Sequence, residues 1–280
     1  MQRFRAVRES ILIEVAAVVV FVALVTLLSR FLPPLSGTSL VLAGTLIAVV
    51  PAALWLVAFY RQDRLEPEPK AYILGVFALG VVLALGVGQP LIRNVLQVQD
   101  WAGTSLAATL VGLILVTGLV QEFLKYAAVR YGVFNTPEFD HPVDGIIYLA
   151  TAGLGYATAL NVQYILSGGV HLGVAAVHVA ISTLAHASFA GVMGYFLGRA
   201  KFEARGPFWL PGGLLIAATL NGVVTLALRE IPSVGFTINP WLSLGVAALI
   251  AILTFTFLFS RIRNLERAVA QPTTQPGGTL

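Results

Sequence analysis

Residues 40–60 read LVLAGTLIAVVPAALWLVAFY, a run with no charged side chain. A spanning helix needs roughly 20 mostly apolar residues to cross about 30 Å of hydrocarbon, so this stretch predicts a transmembrane helix. Working outward, the same criterion selects seven more segments: Ser10 to Leu32, Ala71 to Gln97, Thr104 to Tyr131, Val143 to Leu166, His171 to Gly198, Phe208 to Arg229 and Trp241 to Arg261. The predicted fold class is therefore all-α, a polytopic membrane helical bundle of about eight transmembrane helices. Composition agrees. Of 280 residues 58% are hydrophobic and 11% charged, too apolar for a domain with a wetted surface. The lipid bilayer is the first partner this implies.

Loop charge sets orientation. Taking alternate loops, one side collects Arg3, Arg5, Arg8, Arg61, Arg64, Lys70, Arg130, Arg199, Lys201, Arg205, Arg261, Arg263 and Arg267, and the other only Arg30, Arg93 and Arg229. Cytoplasmic loops carry the excess of Lys and Arg, so both termini are expected in the cytoplasm, which requires an even number of crossings. The formal charge of +4 is explained by this bias, and nucleic acid is not an expected partner. The basic N-terminus, MQRFRAVRES, precedes an apolar run without a small-residue cleavage site, and is read as part of a retained first helix. Residues 1–267 form one membrane domain in this reading. Residues 268–280, rich in Pro, Thr, Gly and Gln, form a disordered tail. Cysteine is absent, which excludes disulfides, a thiolate nucleophile and cysteine-ligated zinc.

Ionisable groups at membrane depth cost about 2.5 to 3.5 kcal/mol each on insertion scales, so each needs a partner or a purpose. Few qualify. The fourth segment holds Gln121, Glu122 and Lys125, the sixth His178 and His186, and the fifth and seventh Asn161 and Asn221. Glu122 and Lys125, three apart, share a helical face and can neutralise each other. Alternatively, Glu122 is a metal ligand or a general base, roles suited to a carboxylate in low dielectric. His178 and His186 differ in depth by roughly 12 Å and cannot share one ion. His178 reads as a packing residue. Counted from the cytoplasmic charges, Glu122 lies about 12 Å deep, His186 about 20 Å and Asn161 about 26 Å, so straight helices would not bring all three to one ion. A tilt, a broken helix or a re-entrant start near Val143 could reconcile the first two. Gly153, Gly155, Gly191, Gly194 and Gly198 read as notches for close helix approach. In the cytoplasmic loops, Glu66-Pro67-Glu68-Pro69 reads as a stiff, extended acidic interface. Glu138, Asp140, His141 and Asp144 read as a solvated turn or a weak metal site.

Four blocks of this chain resemble the PrsW family of intramembrane proteases, within the wider group of the CAAX prenyl endopeptidases. They are DRLEPEPK (63–70), QEFLKYAAVRYGVF (121–134), EFDHPVDGIIYLATAGLGYATALNVQY (138–164) and HASFAGVMGYFLG (186–198). The resemblance covers about residues 61–201. It implies a protease in the bacterial plasma membrane that cleaves membrane-embedded regulators, with single-span membrane proteins as substrates or partners and zinc or another divalent metal held by glutamates and histidine. Carried over by position, it implies Glu122 and His186 as metal ligands, and Glu122, His186 and Asn161 as the catalytic set. Gln121, Lys125 and Asp144 are the supporting residues.

The family's pattern pairs two glutamates before the lysine and places another glutamate four residues after an aromatic. This chain has Gln121 at the first of these and Leu160 four residues after Tyr156, while Ala190 offers no second ligand beyond His186. Glutamine supplies neither charge nor a base, and leucine supplies nothing. Reduced or lost proteolytic activity is therefore expected, with a non-catalytic binding or scaffold protein on the same fold as one alternative and a small transporter as another.

Overall fold

A computed structural model describes residues 2–33, 35–61, 68–167, 171–228, 249–250, 252–258, 260–262 and 264. Every regular element among them is helical. We number the helices α1 (Gln2–Leu28), α2 (Gly37–Tyr60), α3 (Lys70–Trp101), α4 (Leu106–Gly132), α5 (Pro142–Leu166), α6 (Leu172–Phe202), α7 (Trp209–Leu228) and α8 (Ile252–Ile262). Six of them, α2 to α7, are long and apolar enough to cross a membrane. Of the eight crossings expected from the sequence, six are present in full among the described residues. For α1 the described apolar stretch is Val15–Leu28, shorter than a full crossing. Of the eighth segment, Trp241 to Gly245 and their neighbours up to Ala248 lie outside the described residues, as do the tail 268–280 and Glu66-Pro67.

The bundle is built around α5. Nearly all of its membrane-length window is buried, whereas well under half of each window of α2, α3, α4 and α7 is, which suits contact with lipid. α5 packs chiefly on α6, with α2 and α3 on its other sides, and α7 packs on α6 and α4. Its start is well specified. Pro142 occupies the first turn, where its missing N–H costs nothing, and Asp144 accepts the His141 N–H at 2.6 Å. α6 ends with Arg199 and Lys201 in its last turn, where cations complement the helix dipole.

Lipid offers helices no hydrophobic drive to associate, so close packing has to come from small residues at their crossings. The expected glycine notches serve here. A Cβ at Gly145 or Gly194 would overlap the backbone of the other helix of the α5–α6 pair, one at Gly198 the carbonyl of Pro142, and one at Gly155 the carbonyl of Phe77 on α3. At Gly153 a Cβ would lie 2.6 Å from the carbonyl oxygen of His186. That contact fixes the register in which α6 presents His186. Both α3 and α4 contain π-helical turns, at Ala84–Gly88, Leu91–Val95 and Val111–Gly118. Such turns redirect the side chains that follow and recur near functional sites.

Gly155→Ala should therefore destabilise the protein by about 1–3 kcal/mol, since overpacking against fixed backbone outweighs the gain in helix propensity. Gly75→Ala, at a glycine facing open space, should be neutral or stabilising by up to about 1 kcal/mol. Thermal unfolding in detergent checks both, and equal shifts would contradict the notch assignment.

Candidate functional site

Four helices contribute to one polar centre. From α4 come Gln121, Glu122 and Lys125, all buried, the last two with no exposed surface. Their spacing of three puts Glu122 and Lys125 side by side, and Lys125 Nζ donates to Glu122 Oε1 at 2.6 Å. From α6 comes His186, whose Nδ1 lies 3.0 Å from the same Nζ. An ammonium only donates, so Nδ1 is the acceptor and the ring proton sits on Nε2. From α7 comes Asn221, whose Nδ2 donates to Glu122 Oε1 at 2.6 Å and to Gln121 Oε1 at 3.1 Å. Thr225 Oγ1 in turn donates to Asn221 Oδ1 at 3.2 Å. From α5 comes Tyr156, its ring centre 5.4 Å from Lys125 Nζ and 6.3 Å from the centre of the His186 ring.

The depth difference between Glu122 and His186 is spanned by Lys125. Its long side chain touches both, so neither helix has to shift by a full turn. Asn161 stays outside this hydrogen-bonded set. Its Nδ2 donates to Thr183 Oγ1 at 3.0 Å, one turn before His186 on α6. Asp144 is farther still, twelve residues before Tyr156 on α5 and therefore about 18 Å along the helix. His178 stacks on Tyr164 with ring centres 4.0 Å apart, the packing role expected of it.

A second polar cluster forms where α5 begins. Glu68 is buried there, accepting from the Tyr148 hydroxyl and hydrogen-bonded to Asp144. The sequence reading treated this acidic loop as an interface and missed the insertion of Glu68. Lys201 ties down the adjoining loop by donating to the carbonyls of Phe134 and Phe139, both at 2.5 Å. Asp140, His141 and Asp144 can bring one ligand atom each within 4.8 Å of one another, the single such trio of His and acidic groups among the described residues. One carboxylate oxygen of Asp144, which is buried, accepts the His141 N–H, while Asp140 is exposed.

A hydrolytic zinc-type ion generally takes three protein ligands and keeps one position open. At the α4–α6 centre, Glu122 Oε2 is buried and has no hydrogen-bond partner, and His186 is the second available donor. No third appears among the described residues. The Gln121 amide oxygen is turned to Asn221, and Leu160 packs in an apolar cluster with Ala84, Leu124, Tyr156 and Ala159. The residues present fall one donor short of a three-ligand site, and the Lys125 ammonium holds the place between carboxylate and imidazole. Asn221 and Tyr156 are the members of this centre that sequence reasoning left out of the site. An asparagine in an apolar segment was the available signal for the first, and for the second a tyrosine one turn before Leu160.

Comparison with known proteins identifies the family. A family model described as PrsW family intramembrane metalloprotease matches residues 68–262. Protease PrsW of Geobacillus kaustophilus is 34% identical over 186 residues, 66% of this chain and 77% of the relative. Protease PrsW of Bacillus subtilis is 31% identical over 176 residues, 62% of this chain and 77% of the relative. That of Clostridioides difficile is 30% identical over 184 residues, 64% and 76%. No solved structure matches the chain.

The ion pair makes a prediction of its own. Lys125→Met leaves the Glu122 carboxylate uncompensated in the core and should cost about 3–5 kcal/mol. Adding Glu122→Gln keeps an oxygen for Asn221 and removes the charge, so the double variant should return to within about 1.5 kcal/mol of the parent. Unfolding of the three proteins in one detergent measures the coupling, and strictly additive losses would show that the pair is not a unit.

Proposed function

Because the chain belongs to the PrsW family of intramembrane metalloproteases, we propose that it receives membrane-embedded segments of single-span proteins at the Glu122–Lys125–His186 centre, with peptide hydrolysis reduced or lost. The observation that carries this reading is the donor shortage at a buried, otherwise complete cluster: Gln121 bonded to Asn221, and Leu160 packed into apolar surroundings. Glu122 and His186 are the residues that would hold a divalent ion, and a third ligand would bring such an ion the capacity to activate water. What this chain's own groups do is independent of that. Lys125 fixes the carboxylate and the imidazole in place, and Asn221 restrains the carboxylate from the α7 side. A non-catalytic binding protein on the same fold is the second reading, favoured by the integration of Leu160 into the apolar cluster around Tyr156.

The setting we infer is the bacterial plasma membrane, with eight crossings and both termini in the cytoplasm, in line with the loop charge bias. The lack of native cysteine makes this directly measurable. A cysteine placed at Ser36 should react with an impermeant maleimide in intact cells, and one at Gly206 only after permeabilisation. Labelling of both from the same side would refute the orientation.

Function is tested by restoring the carboxylates. Purified parent protein should hold well under one divalent ion per chain and cleave a panel of tagged single-span proteins slowly or not at all. Gln121→Glu with Leu160→Glu should raise metal content toward one ion per chain and cleavage by at least about tenfold. Efficient cleavage by the parent that Glu122→Gln and His186→Ala leave untouched would sink the assignment of the centre. Stable capture of panel members by the parent, without cleavage in either form, would establish the binding reading.

A further inference from the structure

Tyr156 has no exposed surface, yet its hydroxyl has no hydrogen-bond partner among the described residues. Burying an unpaired hydroxyl is costly, so the packing around it matters. The oxygen is fitted against the backbone of α3 where that helix widens into a π-turn: a Cβ at Gly88 would overlap the Tyr156 hydroxyl. Space is thus made for the hydroxyl itself, although it repays no bond within the protein. In the same centre, Glu122 Oε2 is likewise buried and unpartnered, while Oε1 of the same carboxylate takes bonds from both Lys125 and Asn221. One unpaired donor and one unpaired acceptor flank Lys125, on α5 and α4 respectively.

From this geometry we infer that Tyr156 Oη and Glu122 Oε2 form a donor–acceptor pair for one main-chain amide of the bound segment. Tyr156 donates to the segment's carbonyl oxygen, and Glu122 accepts from its amide N–H. This rests on the reading that a membrane-embedded segment enters the centre. A peptide group offers the complementary donor and acceptor, whereas a lipid acyl chain offers neither. In an intact helix both groups are already bonded within the segment, so the pair selects segments that are locally unwound. Tyr156 also stands one turn before Leu160 on α5, the position where the resemblance implies a carboxylate. Its hydroxyl is a neutral polar group on that stretch of α5, able to donate to a carbonyl and unable to act as a base at neutral pH.

The test uses the full-length protein in nanodiscs. The probe is a single-span Leu/Ala peptide of roughly 22 residues, weakened at its centre by Gly-Pro, with one carbon-13 carbonyl moved through the central positions. Binding is followed by fluorescence and the labelled carbonyl by isotope-edited infrared spectroscopy. In the parent, one labelled position should show a band lowered on binding. Tyr156→Phe should abolish that lowering and weaken binding roughly fivefold, the worth of about one hydrogen bond. A fluorinated tyrosine at 156, a stronger donor in the same shape, should lower the band further. An ester in place of the probe's central amide should weaken binding to the parent but not to Glu122→Gln. Binding with the same affinity and the same band in the parent and Tyr156→Phe overturns this inference and leaves the functional reading intact. If the parent binds no probe, both fall.

Discussion

The Lys125 ammonium, held between the Glu122 carboxylate and the His186 imidazole in a fully buried setting, is the interaction around which the polar side of this bundle is arranged. A lysine without a counter-charge could not remain at that depth in lipid, because the penalty for an isolated ion has no local compensation. Once Glu122 is paired, its spare hydrogen-bonding capacity draws in Asn221, and through Asn221 it reaches Gln121 and Thr225. A chain of polar contacts follows from one charge. It links α4, α6 and α7 at a crossing where hydrophobic drive is absent.

That centre could not form without the backbone approaches around α5. Gly153 lets α5 lie against the carbonyl of His186, and Gly155, two residues on, lets the other face of α5 meet Phe77 of α3. A single turn of the helix is thus clamped from two sides, and Tyr156 is the next residue. Its ring position relative to Lys125 and His186 is set by glycines, which carry no chemistry themselves. The small residues and the ionisable ones form a single device, in which the first determine where the second can meet.

Much of this was legible in the sequence, for identifiable reasons. Apolar runs report membrane depth directly, so α2 to α7 could be read from hydropathy, and the short list of polar residues inside them contained nearly every member of the centre. Two features were harder to read. For the site, counting residues along straight helices gave Glu122 and His186 different depths and left a tilt, a broken helix or a re-entrant start to reconcile them, because such counting treats side chains as points. Lys125 is long enough to bridge two depths. Glu68 was hidden for the opposite reason: a Pro-flanked acidic loop looks solvated, and only the buried Tyr148 and Asp144 give its carboxylate a reason to turn inward.

Retention of Glu122, Lys125 and His186 in one cluster is therefore weak grounds for inferring hydrolysis. A buried ion pair constrains its own members: loss of either leaves a charge that the apolar surroundings cannot solvate, whereas loss of a neighbouring carboxylate removes a like charge and leaves the pair intact. Gln121 and Leu160, at positions where the resemblance implies carboxylates, fit that second kind. The amide keeps the bond to Asn221, and the leucine adds apolar contact beside Tyr156. Catalytic demand and packing demand thus fall on different residues of the same site. The positions that would distinguish an active centre from a structural one are then Gln121 and Leu160, where the resemblance implies carboxylates.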